Sequence, residues 1–255
     1  MSSRLFAISF DAHRPEHLAR FWSGLLGLKR ADEADGSFDG VTLLSGNDAG
    51  YRLGFRQAES RKTAQNRLHF DLPSSSASDQ EEMVARALEL GARHCDVGQG
   101  PDASHTVLAD PEGNEFCVIE PGNDFLAGCG RLGALACDGS RAVGYFWSAA
   151  LGWPLVWDQD EETAVQSPDG GTKLTWGGPP LMPDPGRDLH LDLAPDGDQQ
   201  AEVERLLSLG ARRLDSTRLD STRLDSTRLD SARVGGGTVL LADPDGNEFR
   251  VLARR

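Results

Sequence analysis

The sequence predicts an α+β fold: four βαβββ units, two in each half of the chain, with helices laid on one face of curved mixed sheets. Three observations carry this. Asp110-Pro111-Glu112-Gly113-Asn114-Glu115-Phe116 returns as Asp243-Pro244-Asp245-Gly246-Asn247-Glu248-Phe249. Phe21-Trp22-Ser23-Gly24-Leu25-Leu26-Gly27 is answered by Phe146-Trp147-Ser148-Ala149-Ala150-Leu151-Gly152, and Leu68-His69-Phe70-Asp71-Leu72 by Leu189-His190-Leu191-Asp192-Leu193. Three motifs repeated in one order mean an internal duplication.

Residues 5–11 alternate loosely as a strand, and Arg14-Pro15-Glu16 opens a helix with proline in its first turn. Leu18, Phe21, Trp22, Leu25 and Leu26 recur at helical spacing until Gly27 ends the run, which makes them the face that packs on a sheet. Strands follow at Val41–Leu44 and Tyr51–Phe55, matched in the second half around Ala164-Val165 and at Lys173–Trp176. After the His-x-Asp strand come helices from Glu81 to Leu90 and from Ala201 to Leu209. Each half closes with a hairpin in which proline presets φ at the first corner and glycine and asparagine tolerate positive φ. The expected domains are residues 1–121 and 130–255, joined by a linker at 122–129. Leu-Asp-Ser-Thr-Arg repeats from Leu214 and, with one change, to Arg233. A period of five suits neither helix nor strand, so an exposed insertion is expected at about 214–233. It lengthens the path from Gly210 to Asp243 by about fourteen residues over that from Gly91 to Asp110 (33 against 19).

A formal charge of −14 opposes binding to nucleic acid or to an anionic membrane, so a small molecule is the expected partner. No stretch has the apolar length of a membrane helix or a secretory signal, and a cytoplasmic protein, monomer or homodimer, is expected. Cys95, Cys117, Cys129 and Cys137 show no paired spacing and read as free thiols.

The combined order of Phe-Trp-x-x-x-Leu-Gly, His-x-Asp-Leu and Asp-Pro-x-Gly-Asn-Glu-Phe resembles the vicinal oxygen chelate superfamily of glyoxalases, bleomycin-resistance proteins and extradiol dioxygenases. The nearest likeness is to its small glyoxalase-like domains, present twice. The resemblance implies two curved-sheet pockets, each able in the enzymes to hold a divalent metal on four strands. Carried over position by position, those ligands fall in the first half on Ala7, Arg52 or Leu53, His69 and Cys117, with Glu115 two residues before it. In the second half they fall on Leu132 or Gly133, Lys173 or Leu174, His190 and Arg250. One match in four does not make a metal set, and Asp11, near the end of its strand, is a poor substitute for the missing first ligand.

Strand alternation puts His69, Asp71, Glu115 and Cys117 on one face, and His190, Asp192, Glu248 and Arg250 on its counterpart. These eight are the expected ligand-binding residues, with no catalytic or metal residue assigned. The plainer reading of them is as groups that fix the sheet, with the glutamates pinning their own hairpins. The expected function is binding of a small aromatic or cationic molecule in a mostly apolar pocket. The alternative is a divalent-metal-dependent lyase, isomerase or dioxygenase, which needs a third inward ligand.

Overall fold

The computed structural model describes residues 3–31, 40–44, 52–59, 62–177, 189–214 and 237–253. The expected insertion, apart from Leu214, lies outside the described residues, as does Tyr51. Unit 1 runs β1 (Ser3–Ala12), α1 (Pro15–Leu26), β2 (Lys29–Arg30), β3 (Val41–Leu44) and β4 (Arg52–Gln57). Unit 2 runs β5 (Leu68–Pro73), α2 (Ala77–Glu89), β6 (Arg93–His94), β7 (Thr106–Ala109) and β8 (Glu115–Ile119). Unit 3 runs β9 (Ala134–Asp138), α3 (Arg141–Leu151), β10 (Leu155–Gln159), β11 (Glu162–Val165) and β12 (Lys173–Gly177). Unit 4 runs β13 (Leu189–Pro195), α4 (Gln199–Ser208), β14 (Arg212–Arg213), β15 (Val239–Ala242) and β16 (Glu248–Val251).

Local chemistry sets the helix ends. Gly27 and Gly152 close α1 and α3 in the left-handed region, at φ 72° and 69°. Ser76 caps α2 by accepting the Asp79 N–H, and Asp198 caps α4 by accepting the Ala201 N–H. Those caps start both helices earlier than apolar periodicity alone places them.

The strands form two eight-stranded sheets, ordered β14-β15-β16-β13-β1-β4-β3-β2 and β10-β11-β12-β9-β5-β8-β7-β6. The first, sheet A, joins units 1 and 4; the second, sheet B, joins units 2 and 3. Each sheet thus draws one unit from each half of the chain. Within a half, the two units meet through their helices, and the first strand of each unit keeps an open edge. That edge pairs antiparallel with the first strand of a unit from the other half: β1 with β13, and β5 with β9. A strand's apolar pattern shows which face it buries; it carries no record of which edge it joins.

Each half nevertheless shares one aromatic core. Trp22 packs edge-on against Phe70 and Phe116 of sheet B and lies 5.6 Å from Phe10 of sheet A. Its Nε1–H donates to Asp110 Oδ2 at 3.2 Å, and Trp147 repeats the bond to Asp243 Oδ2 at 3.2 Å. The repeated hairpin is built around these aspartates. Asp110 Oδ1 accepts the backbone N–H groups of Glu112 and Asn114, and Oδ2 also accepts the Asn114 amide. Gly113 and Gly246 take φ of 90° and 99° as expected. The asparagines do not share that region; their side chains serve the aspartates instead.

Candidate functional site

The helices cover one face of each sheet, and the expected site residues lie on the other. On sheet B, β5 presents His69 and Asp71 while Phe70 and Leu72 enter the core. Beside it β8 presents Cys117 in register with Asp71. One ligand atom from each of His69, Asp71 and Cys117 lies within 4.8 Å of the others, the one such trio among the described residues. His69 Nε2 is 3.5 Å from Asp71 Oδ1, and the His69 side chain stays 35% exposed. Desolvation would lower its pKa, but hydrogen bonds to Asp71 and Cys117 and their charges raise it well above the ordinary histidine value. The neighbouring strand β9 offers only Ala136 opposite His69 and Ala134 opposite Asp71. Beyond it, β12 brings Thr175 and Lys173 into line. Lys173 donates to the Phe125 carbonyl and lies 5.1 Å over that ring.

Glu115 shares this face but is occupied elsewhere: it accepts from Lys62 Nζ at 2.5 Å and from the Asn66 N–H at 3.1 Å. It ties down the segment leading into β5.

On sheet A the same register holds a different chemistry. Asp192 pairs in register with Arg250, as Asp71 does with Cys117. Ser9 and Ala7 stand opposite His190 and Asp192, as Ala136 and Ala134 stand opposite His69 and Asp71. Arg56 stands beside Asp11, where sheet B has Gly177 beside Asp138. The result is a closed ion-pair network. Asp11 accepts from Arg250 Nη2 at 3.1 Å and lies 3.0 Å from His190 Nε2. Asp192 accepts from Ser9 Oγ at 2.5 Å and from Arg56 Nη2 at 2.9 Å. Burial would raise the Asp11 carboxyl, but the charges of His190 and Arg250 hold it well below the usual carboxylate range. The Asp192 side chain is wholly buried and that of His190 is 10% exposed, in contrast to His69. Glu248 lies near enough for its charge to favour the Arg250 cation.

The eight expected residues thus separate by sheet. His69, Asp71 and Cys117 converge, and Glu115 is diverted to Lys62. His190, Asp192 and Arg250 converge on Ser9 and Arg56, which sequence reasoning passed over, and on Asp11. All three come from the other half, so no spacing within one half could bring them forward. Asp11, set aside as a stand-in ligand, is a central member of the network.

Two curved eight-stranded sheets built from βαβββ units, with a His-x-Asp strand on each open face, define a glyoxalase-like protein. The chain belongs to the glyoxalase-like domain family, whose pattern matches residues 7–119 and 134–252. Among solved structures it is similar to glyoxalase I from Zea mays, with 15% identity, TM-score 0.61, and 99% of this chain and 92% of that one covered. A candidate dioxygenase from Bacillus subtilis is also similar, with 12% identity, TM-score 0.54, and coverage of 98% and 86%. No curated protein matches the chain. No helix among the described residues is long and apolar enough to cross a membrane.

Proposed function

We propose that the open face of sheet B is the working site and binds a small molecule through His69, Asp71 and Cys117. One observation carries this reading: in equivalent register, sheet B leaves three polar side chains together and partly exposed, whereas sheet A fills the place with guanidinium groups. Protonated His69 donates to an acceptor on the ligand, and Asp71 holds the imidazolium in place. A thermal-shift screen of small acceptor-bearing compounds tests the reading. Stabilisation should survive His190→Ala and disappear in His69→Ala; the reverse pattern would refute it.

A second reading is favoured by the trio itself. The family resemblance implies a divalent metal, and an imidazole nitrogen, a carboxylate oxygen and a thiolate sulfur fit a borderline-soft ion with a position left open. His69, Asp71 and Cys117 would hold it. The ion would supply Lewis-acid polarisation of a substrate oxygen, as expected of a lyase, isomerase or dioxygenase. Elemental analysis of untagged protein separates the two readings: stoichiometric metal that His69→Ala abolishes favours the second.

A further inference from the structure

The open face of sheet A has the makings of a cation site whose cation belongs to the chain. Asp11 from β1 and Asp192 from β13 flank the Arg250 guanidinium, and His190 from β13 reaches Asp11. Its Nη2 lies 3.1 Å from Asp11 Oδ1, and its Nη1 lies 3.6 Å from Asp192 Oδ1. Arg56 reaches Asp192 from the opposite side at 2.9 Å. Asp11 and Asp192 are therefore balanced by two guanidiniums, which fill the place of a further cation between them.

The match to Arg250 is closer at Asp11 than at Asp192. Asp192 Oδ1 and Arg250 Nη1 are both buried without a hydrogen-bond partner, as is His190 Nδ1. On that side the guanidinium is held by charge alone. In sheet B the register position of Arg250 is Cys117 and that of Arg56 is Gly177, so neither guanidinium has a counterpart there.

We infer that Arg250 is a resident cation standing where a divalent ion would sit, and that sheet A is closed to metals for that reason. Removing the guanidinium leaves two inward carboxylates and an imidazole, a hard donor set for a divalent ion. This inference does not depend on what the sheet B face binds, because the test compares proteins with the same sheet B.

The test is loading with Zn²⁺ and Ni²⁺, followed by gel filtration and elemental analysis, of the wild type, Arg250→Gly and Arg250→Gln. Each variant should retain one metal equivalent more than the wild type, whatever the wild type holds. Adding Asp192→Asn should remove the extra equivalent. Arg250→Lys, which keeps a cation, should gain none. A variant unfolded without metal but folded with it, by circular dichroism, also supports the inference. Equal metal content in the wild type and both neutral variants overturns it, as does a variant that stays unfolded in metal. Loss of wild-type metal on His190→Ala overturns it as well.

Discussion

Trp22→Phe tests whether the repeated Trp and Asp motifs act as a clasp between units. The substitution keeps an aromatic ring against Phe70 and Phe116 but removes the Nε1–H that reaches Asp110 Oδ2 at 3.2 Å. A hydrogen bond to a buried charged group contributes about 1.5–3 kcal/mol. The smaller ring also leaves a void, for which roughly 1 kcal/mol more is reasonable. The expected loss is about 3 kcal/mol, and at about 2–4 °C per kcal/mol for a chain of this size, Tm falls by roughly 6–12 °C. Trp147→Phe serves as an internal replicate, because its bond to Asp243 has the same length. Urea denaturation of both variants measures the loss. A change below about 1 kcal/mol in both would refute the clasp and leave the tryptophans as packing groups only.

Further outcomes follow from the same geometry. Burial pushes the Asp110 carboxyl from 3.8 up to about 6, against the N–H groups of Asn114, Glu112 and Trp22. The folded chain therefore holds this proton more tightly than the unfolded one. The stability it confers is full below pH 3.8 and is lost as pH rises through 6, about 3 kcal/mol for about 2.2 pH units. In urea titrations across pH 4–6, Asp110→Asn should flatten that slope; an unchanged slope would assign it to other groups. The raised pKa of His69 gives opposite signs for the two functional readings. Binding of an acceptor-bearing ligand to the imidazolium should weaken as pH rises through that pKa, whereas metal loading, which requires the neutral ring, should strengthen. Gly144 is pressed against β11: a Cβ there would lie 2.1 Å from Thr163 Oγ1 and 2.5 Å from its Cβ, whereas one at Gly24 would meet Leu90 Cδ2 at 3.0 Å. Gly144→Ala should thus cost about 1–3 kcal/mol or more by overpacking, and Gly24→Ala less. Equal losses in chemical denaturation would refute the close approach.

Much of this arrangement was legible beforehand because it is written locally. Helix spacing from Leu18 to Leu26 reported the packed face, and all five of those apolar residues are buried. Alternation around His69 and His190 reported which side chains leave the core. The Asp-Pro-x-Gly-Asn stretches reported hairpins, although the asparagines serve through their amides rather than by positive φ. Strand partnership was hidden, because backbone hydrogen bonds at a strand edge leave no trace in side-chain pattern. That gap also concealed the composition of each site. His69 was first grouped with Ala7 and Arg52, yet Ala136 and Thr175 share its row; His190, already grouped with Arg250, gained Ser9 and Asp11 from the first half of the chain.

The cross-pairing also sets a timetable for synthesis. Sheet B is drawn from one continuous span, β5 to β12, and can close while later residues are still being made. Sheet A cannot: the Ser9–Asp192 bond joins groups 183 residues apart. At about 5–20 residues per second, β1 leaves the ribosome roughly ten to forty seconds before its antiparallel partner β13 exists. For that interval the first strand of the chain is an unpaired edge, and the face bearing His69 is completed before the one that Arg250 seals.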